Sequence, residues 1–161
     1  MLHIRKARIE DLPELIKIEN QCFSKEEAAS EEAFKKRIQT ISDSFFVAER
    51  NDKLVGLING PVIETAFITD DLFSEIKANP STGGHQSILG LAVNPDNQKQ
   101  GIATALLLHL EVKAKERFRQ SLTLTCKEEL IRFYEKHGYK NKGLSNSQHG
   151  GIRWYNMTKE L

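Results

Sequence analysis

The stretch LAVNPDNQKQGIATALLLHLE, residues 91–111, constrains this chain more tightly than any other part of it. An apolar run stops at Asn94-Pro95, a polar run leads to Gly101, and a strongly apolar segment follows with helical spacing. That order describes a buried strand passing through a glycine-containing loop into a buried helix. The first N–H groups of a helix have no intrahelical partner and carry the positive end of its dipole. Such a loop suits an anion, a phosphate above all. Gly101 removes a side chain where a phosphate must come close, Ala103 keeps the next turn slim, and Gln98, Lys99 and Gln100 bring donors. Neither G-x-x-x-x-G-K-[ST] nor G-x-G-x-x-G occurs, which disfavours ATP chemistry and dinucleotide binding.

The elements around this stretch follow from local pattern. LHIRKARI reads as a first strand, and Asp11 with Pro13 and Glu14 reads as an N-cap with a capping box for a helix carrying Leu12, Leu15, Ile16, Cys22 and Phe23 on one face. Ser30-Glu31-Glu32 offers a second helix start, with Phe34, Ile38 and Ile41 at helical spacing. Residues 44–63 read as a hairpin about Asn51-Asp52. Residues 64–77 hold a short amphipathic piece with Leu72, Phe73 and Ile76 as its apolar side, and 78–84 reads as a mobile connector. HQSILGLAV is a central strand in which Gly90 marks a bulge or a close approach by another molecule. The helix from Gly101 to Phe118 presents Ile102, Leu106 and Leu110, with Ala103, Leu107, Ala114 and Phe118 extending its apolar face. SLTLTC is a further strand, EELIRFYEKHGY a short helix closed by Gly138, and IRWYNMTKEL a last strand after the flexible segment 145–151.

Bulk properties limit the function classes. A net charge of +1 argues against broad electrostatic binding to nucleic acid or to an anionic membrane. No run approaches the roughly 18 apolar residues of a membrane span, and the N-terminus lacks the apolar region of a secretory signal. Cys22 and Cys126 lie far apart, so neither a disulfide framework nor a structural zinc site is expected, and a reducing, cytoplasmic setting is. His3, His109 and His137 have no metal-ligand spacing, and no metal is expected.

Gln98, Gly101 and Ala103 after a buried strand, then a helix, a strand ending in Cys126 and the segment FYEKHGY together resemble the acetyl-CoA site of the GNAT superfamily of N-acetyltransferases, whose loop pattern is Q/R-x-x-G-x-G/A. Within it, GGHQSILGLAVNPDNQKQGIA and TCKEELIRFYEKHGY are most similar to the arylalkylamine (serotonin) N-acetyltransferase group. The resemblance implies one N-acetyltransferase domain over 1–161. Its fold would be mixed α/β: a twisted, mostly antiparallel sheet of six to seven strands flanked by helices, splayed between the strand ending at Val93 and the strand ending at Cys126. It also implies direct attack by an amine on acetyl-CoA in a ternary complex, with a small amine as acceptor, arylalkylamines included, and a monomer or dimer as the assembly. A protein or peptide N-acetyltransferase and a non-catalytic acyl-CoA-binding module are the rivals.

Residue by residue, the resemblance assigns the backbone of Leu91, Ala92 and Val93 to the pantetheine arm, and Gln98, Lys99, Gln100, Gly101, Ile102, Ala103 and Thr104 to the pyrophosphate cradle. A bulge near Gly90 would aim an N–H at the thioester oxygen, an oxyanion hole. Tyr134 matches the tyrosine beside the CoA sulfur; by its residues alone it shares a helical face with Leu130 and reads as core. The group's two strand histidines are replaced by Ser87 and Leu89, so the resemblance names no general base, and His85 lies at the strand's start. Phe23, Glu64, His85, Ser87, Leu89 and Thr125 are the candidate acceptor residues, and Trp154, His149 and Tyr155 are further candidates for the pocket wall. Glu19 and Glu64 are candidate carboxylates for an amine that also read as solvated surface, and Cys126 reads as structural.

Overall fold

In a computed structural model, residues 1–73, 76–147 and 151–161 are described, the side chain of Phe73 excepted. The strands are β1 (Leu2–Lys6), β2 (Phe45–Arg50), β3 (Lys53–Asn59), β4 (Val62–Ile63), β5 (His85–Ile88), β6 (Gly90–Val93), β7 (Ser121–Cys126), β8 (Lys140–Leu144) and β9 (Tyr155–Glu160). The helices are α1 (Leu12–Cys22), α2 (Glu31–Thr40), α3 (Ile102–Glu116) and α4 (Ile131–Lys136).

The strands form two sheets, ordered β1-β2-β3-β6 and β4-β5-β7-β9-β8, with β5–β7 as the parallel pair. Two interrupted strands link them. Gly60-Pro61 separates β3 from β4, and Leu89 separates β5 from β6. Counted as interrupted single strands, these bring the total to the expected seven. Both interruptions lie at one level, because Asn59 pairs with Gly90 while the Ser87 N–H donates to the Pro61 carbonyl (3.1 Å). Past that level β6 pairs with β3 and β7 with β9, so the facing edges of β6 and β7 diverge. The expected splay is there.

Alternation along the strands divides the core between the two faces. Phe45, Val47, Leu57 and Ala92 pack with Leu12, Leu15 and Ile18 of α1 and Phe34 and Ile38 of α2. Phe46, Ala48, Ile58 and Val93 pack with Ile102, Leu106 and Leu110 of α3 and Tyr134 of α4. Three local expectations hold, a turn, a helix cap and a helix closure. Asn51 and Asp52 both take left-handed φ (53° and 63°), the requirement of a two-residue type I′ turn. The Ser30 hydroxyl accepts from the Ala33 N–H at the start of α2 (3.1 Å). Gly138 follows α4 in a Schellman closure, with the Tyr139 N–H donating to the Tyr134 carbonyl (3.1 Å).

Four expectations are corrected. Asp11 does not cap α1; its carboxylate accepts from the Arg8 N–H (2.8 Å) and from both terminal nitrogens of Arg5 (2.8 and 2.9 Å), tying β1 to the turn before α1. The segment 78–84 is anchored, because Asn79 bonds Val62, Asp43 and Ser44, and Arg119 donates to the carbonyls of Pro80 and Gly83 (2.9 Å each). Within 64–77, the amphipathic piece amounts to a 3-10 turn at Asp70–Phe73 among the described residues. Residues 148–150, and with them His149, lie outside the described residues.

Phe118 is the fourth. It leaves the apolar face of α3 and is 77% exposed. The Arg119 N–H closes on the Ala114 carbonyl (3.1 Å), which places Phe118 at the left-handed position after the helix (φ 56°). A non-glycine residue costs roughly 1–2 kcal/mol there. Phe118→Gly is therefore expected to raise Tm by about 2–4 °C, the shift that ~1 kcal/mol gives in a domain of this size. A calorimetric Tm equal to or below wild type would show that the ring contributes packing of its own.

Candidate active site

The loop at the start of α3 is built for close approach. The Asn94 side chain accepts from the Asp96 N–H (2.9 Å), and the Gln98 side-chain amide donates back to the Val93 carbonyl (3.2 Å). Lys99 (φ 63°) and Gly101 (φ 81°) are both left-handed. A Cβ at Gly101 would meet no atom within 4 Å, so the glycine serves the backbone turn and leaves space above it. The Ala105 N–H donates to the Gly101 carbonyl (3.0 Å) as the first bond of α3, and the N–H groups of Ile102, Ala103 and Thr104 precede it without a helical acceptor. The residues present fit a pyrophosphate. Gln100 accepts from Arg50, and the Thr104 hydroxyl is engaged with His137 Nε2 (2.9 Å), which leaves Thr104 its N–H for a ligand. Since His137 Nδ1 faces the Phe133 carbonyl (2.7 Å), and a carbonyl can only accept, Nδ1 carries a proton.

Gly101→Val tests this loop. Freed of glycine, the turn relaxes from its left-handed conformation and must return on binding. The strain of about 1–2 kcal/mol converts to a roughly 5–30-fold rise in Kd for CoA, read by calorimetric titration. An unchanged Kd would remove the loop from the binding site.

Register decides which backbone groups of β6 face the cleft. The Asn94 N–H donates to the Val55 carbonyl (2.8 Å), so by antiparallel alternation Ala92 and Gly90 also bond toward β3. Leu91 and Val93 turn their backbone groups to the open edge. The Val93 carbonyl receives the Cys22 thiol (3.1 Å) as well as Gln98. The expected bulge lies at Leu89–Gly90: the Leu89 N–H donates to the Asn59 carbonyl (2.8 Å) while Gly90 pairs with the same Asn59.

Opposite this edge stand the end of β7 and α4. Tyr134 is 6% exposed, packed edge-on between Phe133 and Tyr139 (ring centroids 5.1 and 5.6 Å). Burial, and then the neighbouring Cys126, push its phenol well above the ordinary tyrosine range, so it stays protonated at neutral pH. Burial pushes the Cys126 thiol to about 11, in keeping with a structural role.

A cavity of about 260 Å³ lies between these walls. It brings together Phe23, Leu89, Leu91, Thr125 and Tyr134 of the expected residues, and Trp154 besides. Four expected residues lie outside it, among them Tyr155 at the start of β9. Glu64 is exposed beyond β4. His85 sits at the far end of β5, its Nδ1 paired with the Ser121 hydroxyl (2.7 Å), and four residues of strand place it roughly 13 Å from the bulge. Ser87 is fully buried with its hydroxyl donated to the Pro61 carbonyl (2.5 Å), so it holds the strand break instead of facing a ligand. No described residue of 64–80 lines the cavity.

Glu19, Glu27, Lys127 and Glu129 join the lining. Glu19 is 5% exposed, against its reading as solvated surface, and its carboxylate accepts from the Ala29 N–H (2.8 Å). Glu27 pairs with Lys127 (2.8 Å), which joins the α1–α2 loop to the end of β7. Burial works to raise the Glu27 carboxyl, but its bonds with Lys127 and Ser24 hold it below the ordinary carboxylate range. The partners stand a hundred positions apart in the chain, a distance at which no spacing rule reports them. Among the described residues no cluster suited to a metal ion occurs, and no helix is long and apolar enough to cross a membrane.

A family model described as an acetyltransferase (GNAT) domain matches residues 11–161. No curated protein matches the chain. The loading GNATL domain of CurA from Lyngbya majuscula is similar in structure, with a TM-score of 0.80 and 21% identity over 99% of this chain and 98% of that one. The ribosomal-protein-S18-alanine N-acetyltransferase from Escherichia coli gives 0.73 and 20% identity over 100% and 94%. The PaiA N-acetyltransferase from Thermoplasma acidophilum, in complex with coenzyme A, gives 0.70 and 22% identity over 100% and 99%.

Proposed function

The chain belongs to the GNAT acetyltransferase family with acetyl-CoA as acyl donor, and from that premise we propose that it acetylates a small primary amine held in the cavity between β6 and β7. One observation carries this reading: Glu19, Glu27 and Glu129 line a cavity of about 260 Å³ together with Lys127, the partner of Glu27, which leaves the wall net acidic. Carboxylates there attract an ammonium group. The volume lies below the ~300–1,000 Å³ of pockets for drug-sized ligands, which favours a small acceptor over a protein segment. Phe23, Leu124 and Trp154 add an apolar and aromatic wall, so arylalkylamines are the first acceptors to test.

Acetyl-CoA supplies, when bound, an activated acetyl carbonyl on a thiol leaving group. The N–H groups of Ile102, Ala103 and Thr104 and the backbone of the Gly101 loop hold the pyrophosphate, helped by the α3 dipole. The backbone of Leu91 and Val93, turned to the open edge, runs beside the pantetheine arm. The bulge at Leu89–Gly90 turns the Leu91 N–H to the cleft, where it would donate to the thioester oxygen. The Tyr134 hydroxyl, kept protonated by burial, donates to the departing sulfur.

CoA release across tryptamine, phenethylamine, spermidine, an aminoglycoside and short peptides tests the reading. Turnover of the arylalkylamines above the rest is expected. Turnover of peptides alone would replace the small-amine reading by protein modification, and acetyl-CoA binding without turnover of any acceptor would leave a non-catalytic module.

A further inference from the structure

We infer that Arg37 and Asn59 form a buried positioning pair that sets the Leu89–Gly90 bulge, and so decides which backbone N–H faces the thioester. The inference rests on the acetyltransferase reading above. Arg37 is 2% exposed on α2, and its guanidinium donates to Asn59 Oδ1 (3.1 Å) with the Phe34 ring 5.6 Å away. Asn59 is completely buried at the last position of β3. Its carbonyl accepts the Leu89 N–H (2.8 Å), and its backbone stands opposite Gly90. Its Nδ2 has no partner and lies 3.3 Å from where a Cβ on Gly90 would stand. The amide thus lies against the bare face of the bulge, and any side chain at position 90 would press on it.

Stability alone gives no reason for this arrangement. A buried cation carries a desolvation penalty, and replacing a buried ionic group with well-packed apolar residues is often neutral or stabilising. An unpartnered buried amide donor adds a cost of its own. Burial lowers the Arg37 pKa to about 10, with Glu19 opposing.

What the pair supplies is register. A bulge puts two residues opposite one, and the residues beyond it reverse which edge they face. With the bulge in place, Leu91 faces the cleft. Were it smoothed into a regular ladder, the alternation would shift by one and turn Leu91 back toward β3. Arg37 fixes the Asn59 side chain, and Asn59 holds both strands at the level of the break.

The test uses Asn59→Leu and Arg37→Gln, with Asn59→Asp keeping an oxygen for Arg37. In the ligand-free protein, exchange of the Leu89 amide is expected to quicken about tenfold or more in the first two variants, relative to neighbouring core amides. Isotope-edited infrared spectra of bound [1-13C]acetyl-CoA are expected to show the carbonyl stretch lowered in wild type and in Asn59→Asp, and less lowered in the other two. With a productive acceptor, kcat falls about 10–100-fold while KM for acetyl-CoA moves less than about threefold. If Asn59→Leu does not fold, Arg37→Gln carries the same comparisons. Wild-type exchange and an undiminished carbonyl shift in the variants would overturn the pairing. A wild-type protein that binds acetyl-CoA without any carbonyl shift would instead overturn the catalytic reading, with the exchange result still deciding the structural one.

Discussion

Tyr134→Phe is expected to lower kcat about 100-fold or more, the scale of one lost hydrogen-bond donor to developing negative charge, while the Kd for acetyl-CoA stays within about twofold. The substitution keeps the ring that packs on Phe133 and Tyr139 and removes one hydroxyl from the cavity wall. Packing is preserved, so binding and folding should hardly change. The departing thiolate loses its donor. Because burial raises this phenol above its ordinary value of 10.0, the phenol contributes no alkaline limb to the wild-type rate below that pH. Steady-state kinetics with titration calorimetry of acetyl-CoA separates the effects. A variant with wild-type kcat would return Tyr134 to the core, where its own helical face had placed it.

Phe34→Ala is expected to cost about 3–5 kcal/mol, a large share of the ~5–15 kcal/mol that holds a domain folded. Phe34 is fully buried in α2, edge-on to Phe45 at 5.7 Å, and it lies beneath the Arg37 guanidinium. Truncation opens a cavity between α2 and the sheet and takes the ring from a buried cation. Urea denaturation should show a lower midpoint with the slope unchanged. A loss under about 1 kcal/mol would mean that α2 closes onto the space, and would weaken the case for a rigid Arg37.

The two effects reach the same cleft from opposite faces of the sheet. Tyr134 belongs to the α3–α4 side, Phe34 and Arg37 to the α1–α2 side, and β6 lies between them. On the proposed reading the α3 side would hold the donor and the leaving group, while Glu19 and Glu27 from the α1 side would face Glu129 across the acceptor cavity. Glu27 and Lys127 close the gap where the two sides meet.

The strand–loop–helix at 91–111, the Asn51-Asp52 turn, the Ser30 cap and the Gly138 closure were all legible in the chain. Each depends on dihedral preference, hydrogen bonds or periodicity among residues a few positions apart, and local chemistry settles those. The glycine loop before a helix N-terminus is itself a local structure and marked an anion site, while acetyl-CoA as the donor came from the resemblance to a family. Asp11 went to Arg5 because the end of β1 lay beside it, and Phe118 left its helical face because the chain had to turn into Arg119. Ser87 and His85 read as acceptor residues by their position in a strand, yet strand breaks and partners elsewhere aim them away. Glu19 read as surface until α1 packed over β6 and made it part of a cavity. The acidic wall of the cavity therefore came from the tertiary structure, because Glu19, Glu27, Lys127 and Glu129 meet across up to a hundred residues of chain, and such meetings leave no periodicity to read.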